Sequence, residues 1–242
     1  VCVIVQCCLN GRRAGGWHPR LPVTVEAIVG EALEAVAAGA AELHLHVRGG
    51  DGAETLAPEA VDATVAALRG ALPGTLVGVS TGAWIERDED RRLACIAGWR
   101  VLPDHASVNL GEPGAPAVIE LLHRRGIGIE AGLASVADAE RLVRLGLAPL
   151  ALRVLIEIDL PRLDAALAEA AAIRATLARA GIARPVLLHG FDGTVWPFVE
   201  HAAARRLSTR VGLEDGSSLP DGTIAPSNAA LVAAACAILR RG

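Results

Sequence analysis

The stretch AELHLHVRGG, residues 41–50, sets two histidines and an arginine at alternate positions. Successive residues of a strand face opposite sides, so His44, His46 and Arg48 share one face while Leu43, Leu45 and Val47 take the other. Two imidazoles at this spacing can converge on one ion. Zinc takes about four ligands and, in catalytic sites, keeps one position open for water or substrate, so a third protein ligand is wanted. Near the other end of the chain RVGLED gives Arg210, Gly212 and Glu214 one parity, with Asp215 starting a loop expected to reach the rim. Taken alone, the histidine pair is equally consistent with a hydrogen-bonded core, and RVGLED with an Arg–carboxylate ion pair closing a loop. Together they favour a metal.

The elements that must position these residues follow from periodicity. Short β-rich runs alternate with Ala/Leu-rich segments of helical period, predicting strands at 1–7, 42–46, 77–81, 105–109, 128–130, 151–157, 186–188 and 208–211. Helices are predicted at 25–38, 58–68, 88–98, 116–125, 136–145, 163–180, 195–205 and 228–240. Gly39, Gly70, Gly98, Gly126, Gly146 and Gly181 fall where left-handed helix caps are expected. Eight βα units predict a closed (β/α)8 TIM barrel, a single domain over residues 1–242. Active sites of such barrels lie at the C-terminal ends of the strands. Those ends carry Asn10 and Arg12, then His44, His46 and Arg48, then Ser80, then Ser107 and Asn109. Glu130, Glu157 with Asp159, His189, and Arg210 with Glu214 and Asp215 follow. Strand eight adjoins strand one, which brings Glu214 within reach of an ion held by His44 and His46.

Composition narrows the chemistry. A net charge of −4 argues against nucleic acid or a polybasic membrane surface as partner. Every basic residue is arginine, so Schiff-base chemistry and a lysine base are excluded. Five cysteines without CxxC spacing predict neither a disulfide framework nor a structural zinc cage, and a reducing cytoplasm fits. The opening run VCVIVQCCL is too short for a membrane span, and its arginines follow rather than precede it, so it reads as a first strand. The core is expected to be aliphatic, since 2% of residues are aromatic.

The segments LPVTVEAIVGEALEAVAAGAAELHLHVRGGDG, VGVSTG, ASVNLG, IEAGL and RVGLEDGSSLPDGTIAPSNAALVAAA resemble, in that order, the β-keto acid cleavage enzymes. The likeness is specific in HLHVR and VGLED…SNA and diffuse in the helices between. It implies zinc held by His44, His46 and Glu214, and exchange of a β-keto acid with acetyl-CoA to give acetoacetate and a new acyl-CoA. A Lewis acid chelated by the ketone and carboxylate oxygens suits such Claisen-type chemistry, because enolate charge develops there. By the same resemblance Asp215 is the base, Arg210 orients it, Ser80 and Ser107 donate to the oxyanion or thioester carbonyl, and Glu130 assists proton movement. Arg48, Asn109, Asn10 and Arg12 are the implied substrate contacts. Family members tend to be homotetramers, which implies a homo-oligomer. The CoA phosphates are expected near GFDGT and APSN, with Arg205 and Arg206 as candidate partners and Ser227 as a helix N-cap.

One departure bears on substrate. The amino-substrate member of that family carries an acid near the first strand end, whereas LNGRRAGGWHPRLP offers Asn10, Arg12 and Arg13 with no acid before Glu26. The expected substrate therefore has an anionic or neutral polar far end. Two histidines and a carboxylate also form the facial triad of non-haem iron oxygenases, although that triad usually sits on another fold. Metal-dependent amidohydrolase barrels carry their HxH on the first strand and further histidines later. A non-catalytic binding barrel is disfavoured, because base, donors and ligands occur together.

Overall fold

The computed structural model describes residues 3–241. Eight parallel strands close into a barrel in chain order: β1 Val5–Cys8, β2 Glu42–Leu45, β3 Leu76–Ser80, β4 His105–Asn109, β5 Gly128–Leu133, β6 Arg153–Ile158, β7 Val186–Gly190 and β8 Ser208–Val211. The ring is sealed by β1 pairing with β8, Gln6 beside Arg210. The helices are α1 Val25–Ala37, α2 Pro58–Ala71, α3 Glu89–Gly98, α4 Ala115–Arg124, α5 Val136–Arg144, α6 Leu163–Arg179, α7 Val195–Ala204 and α8 Asn228–Leu239.

Helix starts carry the expected chemistry. Thr24, Asp88, Ser135 and Ser227 each accept a bond from a first-turn N–H, and Ser135 with Asp138 closes a capping box. Gly39, Gly126, Gly146 and Gly181 take positive φ beyond helix ends. Gly70 and Gly98 do not: Gly70 is the penultimate residue of α2 and Gly98 the last of α3, and the turn after α2 is made by Gly74. Strand β1 ends at Cys8 rather than Cys7, and the first two residues of the strand predicted at 1–7 lie outside the described residues.

The main core fills the layer between sheet and helices with Leu, Ile, Val and Ala, joined by the fully buried Trp99 and Phe198. Strand alternation sends Leu43 and Leu45 outward to that layer and Glu42 and His44 into the barrel. The barrel interior is thus unusually polar, holding Gln6, Glu42, His44, His105, Glu130 and Arg210 at no more than 3% exposure. Room for this comes partly from Gly78, where a Cβ would lie 2.0 Å from His105 Nε2. Among the described residues Cys7, Cys8, Cys95 and Cys236 are free thiols, and no helix is long and apolar enough to cross a membrane.

Candidate active site

A cavity of about 730 Å³ opens at the C-terminal ends of the strands. β2 and β8, with the residues that follow them, contribute His44, His46, Arg210 and Glu214 to its lining. Past β8 the chain folds into a tight turn, with the N–H groups of Asp215 and Gly216 both donating to Gly212 O, and Leu213 N–H held by Asn228. That turn directs Glu214 across the barrel mouth toward the histidines. Gly11 permits the approach: it has φ +56°, and a Cβ there would sit 2.3 Å from Glu214 Cγ.

Ligand atoms of His44, His46 and Glu214 lie within 4.8 Å of one another. Glu214 Oε1 is 3.4 Å from His46 Nε2, and Oε2 is 3.8 Å from His44 Nε2. Oε1 also accepts from Arg210 at 2.7 Å, whereas Oε2 is buried with no hydrogen bond. A buried, unpartnered carboxylate oxygen facing two imidazoles is costly unless something cationic completes it. The donor set fits a divalent ion with imidazole and carboxylate preference.

Each histidine has a carboxylate behind it. His46 Nδ1 is hydrogen-bonded to Glu54, which aims Nε2 at the cavity, and the Trp84 indole N–H donates to both Glu54 oxygens at 3.2 Å. His44 Nδ1 faces Glu130 Oε2 across 3.9 Å. Burial, with the positive charge of Arg210 and His46, lowers His44 to about 3, so its ring is neutral. Burial also acts to lower His46, but the charges and hydrogen bonds of Glu214 and Glu54 outweigh it and hold that ring up to about 9. Glu214 is kept well below the usual carboxylate range, because Arg210, His46 and His44 overcome the cost of its burial.

Ser80 and Ser107 are neighbours in register on β3 and β4, and both line the cavity. Ser80 Oγ accepts from Gly82 N–H, which leaves its own proton free to donate. Asn109 lines the same wall and donates to Glu112. Arg12 lies over the Trp84 ring at 5.0 Å and has no ion pair among the described residues. Its neighbour Arg13 is committed, bonding Asp192 at 2.6 Å and Glu214 O at 3.1 Å.

Several predicted site residues are placed elsewhere. Asp215 does not reach the rim: the turn at Gly212 carries it inward, fully buried, 3.2 Å from Arg210. Asn10 is also fully buried and clamps backbone, accepting from His46 N–H and donating to Pro22 O and His46 O. Arg48 ties loops together through Gly11 O, Arg13 O and Gly52 O. Neither Asn10 nor Arg48 lines the cavity. Glu130 lies below it, bonded to Gln6 at 2.8 Å and Arg153 at 2.7 Å. Burial pushes Glu130 up, but His105, Arg153, His44 and Gln6 together bring it down to about 2. Arg205 and Arg206 follow the C-terminal end of α7, which runs antiparallel to the strands, so they sit at the opposite end of the barrel from the cavity.

Glu54 and Trp84 were not anticipated. A signal existed for Glu54: Asp51-Gly52 is a tight-turn dipeptide, Gly52 has φ +78°, and the resulting bridge between Arg48 and Glu54 returns the chain to His46.

The family profile described as beta-keto acid cleavage enzyme matches residues 2–241. A 3-keto-5-aminohexanoate cleavage enzyme of Acetoanaerobium sticklandii is 37% identical over 94 residues, 39% of this chain and 33% of the relative. Its counterpart in Fusobacterium nucleatum is 38% identical over 76 residues, 31% of this chain and 28% of the relative. The matches thus span about a third of those curated relatives. In fold the chain is similar to ObcA in a ternary complex with a C4-CoA adduct and oxalate, at TM-score 0.75 and 18% identity, covering 92% of this chain and 64% of that one. Apo ObcA gives TM-score 0.71 at 18% identity, covering 89% and 61%.

Proposed function

The chain belongs to the beta-keto acid cleavage enzyme family, and on that premise we propose that it converts a β-keto acid and acetyl-CoA into acetoacetate and a new acyl-CoA. The observation that carries this reading is the convergence of His44, His46 and the unpartnered Glu214 Oε2 beneath a cavity lined by two serine hydroxyls. The same three residues would hold zinc. Bound there, zinc supplies a Lewis acid for the ketone and carboxylate oxygens of a β-keto acid.

The chain's own groups divide the remaining work. Asp215 removes the proton between ketone and carboxylate. Arg210 donates to Asp215 Oδ1, which leaves Oδ2, buried and without a hydrogen bond, as the basic oxygen. Ser80 and Ser107 donate to the oxygen on which charge collects when the thioester is attacked; preorganised donors of this kind cost no reorientation as the charge forms. Glu54 holds His46 in the tautomer that offers Nε2, while Glu130, 3.9 Å from His44 Nδ1, assists proton movement from below. Arg12 and Asn109 contact the substrate's far end, and the unpaired guanidinium of Arg12 supports an anionic or neutral polar group there. Arg48 and Asn10 act on that end indirectly, by fixing the loop that carries Arg12. The active species is a homo-oligomer, as family resemblance implies, and light scattering of the zinc-loaded protein tests it.

The reading is tested by incubating zinc-loaded protein with acetyl-CoA and a panel of β-keto acids. Acetoacetate and a matching acyl-CoA are expected, fastest with a dicarboxylic member. Absence of acetoacetate across the panel rejects the exchange, and preference for an ammonium-bearing substrate rejects the role of Arg12.

A further inference from the structure

His189, on β7, takes no part in the chemistry above. It is 1% exposed, and neither ring nitrogen has a hydrogen bond among the described residues. Two unpartnered nitrogens on one buried ring call for an explanation. Their surroundings supply it. Nδ1 lies 3.4 Å from Asp215 Oδ1, and Nε2 lies 3.9 Å from Glu157 Oε2. Asp215 is sealed from solvent, whereas Glu157, on β6, lines the cavity. Space for the Glu157 carboxyl is left by Gly132, where a Cβ would stand 2.6 Å from Oε1. Phe191 packs edge-on against the imidazole at 4.9 Å between centroids, so the ring is held between the two acids.

We propose that His189 and Glu157 form a proton path joining the buried Asp215 to the cavity. The path rests on the reading of Asp215 as base. The exchange returns to C2 of acetoacetate the proton it takes from C2 of the β-keto acid, so no proton leaves per turnover; the path instead equilibrates Asp215, which has no exposure of its own, with cavity water. In the outward step the carboxyl of protonated Asp215 turns to bring the proton from Oδ2 to face His189 Nδ1 and passes it there, and Nε2–H gives its proton to the Glu157 carboxylate. Asp215 returns to carboxylate, His189 stays neutral in the other tautomer, and Glu157 becomes a carboxylic acid that exchanges with cavity water. The two gaps exceed the ~2.7–3.2 Å of a hydrogen bond and close by side-chain rotation.

Electrostatics agree with these roles. Burial and Arg210 lower His189 against the opposing pull of Asp215 and Glu214, which keeps the ring neutral. Burial raises Glu157 to about 7; Arg210 opposes this, and Glu214, Asp215 and Glu130 add to it. A terminal group in that range trades protons with water in both directions at neutral pH.

The test is washout of the C2 protons of acetoacetate in D2O, followed by NMR with zinc-loaded full-length chain and no acetyl-CoA. Wild type is expected to accelerate exchange. Glu157→Gln and His189→Phe should slow it at least about tenfold at unchanged zinc content, because a proton taken by Asp215 returns to the same carbon. The acidic limb of the exchange–pH profile should vanish in Glu157→Gln and return in Glu157→Asp, which a merely structural role would not produce. Wild-type washout in Glu157→Gln overturns the path, whatever His189→Phe does to folding. If wild type itself fails to accelerate exchange, or Asp215→Asn exchanges as fast as wild type, the assignment of Asp215 as base fails and takes the path with it.

Discussion

Two polar clusters lie one above the other inside the barrel, and by residue type they are nearly alike. The upper has His44, His46 and Glu214; the lower has Glu42, His105 and Glu130. Either trio brings its ligand atoms within 4.8 Å. They differ in what surrounds them. In the lower cluster Arg153 bonds both Glu42 and Glu130, and Gln6 donates to the same two carboxylates. Each cluster keeps one buried carboxylate oxygen without a hydrogen bond, Glu214 Oε2 above and Glu130 Oε2 below, but only the upper one opens onto the cavity. Histidines and acids at ligand spacing do not make a site; unspent lone pairs with access do.

The sharpest break of that contrast is His46→Ala. Removing a direct ligand should lower zinc affinity by more than the ~10–100-fold typical of supporting residues, and turnover should disappear with it. His105→Gln in the lower cluster should leave the zinc content of dialysed protein unchanged. Next in size is Arg153→Met, which strands two buried carboxylates. Unfolding in urea should show a loss of about 3–5 kcal/mol, because breaking a buried pair leaves uncompensated charge. Zinc stoichiometry should remain that of wild type.

Glu54→Gln should act more mildly. The protein should still fill with zinc at saturation, with affinity down by roughly 10–100-fold in a chelator competition, since His46 loses the acceptor that orients it. The smallest effect concerns pH. His46 is held up to about 9 in the metal-free protein, so it is protonated at neutral pH and must lose that proton to become a ligand. Zinc binding near pH 7 should therefore release a proton, and affinity should rise about tenfold per pH unit until it levels near 9. Calorimetry in buffers of different ionisation enthalpy measures the release, and binding without it would contradict the charge state drawn from Glu214 and Glu54.

These clusters also explain what could be read from the sequence. Alternation along a strand is local, so the inward parity of His44 and the barrel made of eight βα units are both written in short windows. Parity pointed Glu214 inward too, and only Gly212 and Leu213 separate it from the end of β8, although the turn at Gly212 is what directs it. Partnerships across the barrel are different. Whether Glu130 meets Arg153 or the cavity depends on strand register and stagger, set by the closure of all eight strands. Asp215 was misplaced at the rim for a related reason: parity continues a strand, whereas Gly212, tight against Cys8 O, turns the chain inward. Asn10 and Arg48 have the residue types of substrate contacts, but backbone groups of distant loops claim them first.

The most direct test is anomalous diffraction at the zinc edge from crystals of the protein grown with zinc. A single strong peak is expected between His44 Nε2, His46 Nε2 and Glu214 Oε2, with none between Glu42, His105 and Glu130. A peak in the lower cluster, or an upper cluster that stays empty with Glu214 bound only to Arg210, would contradict the assignment.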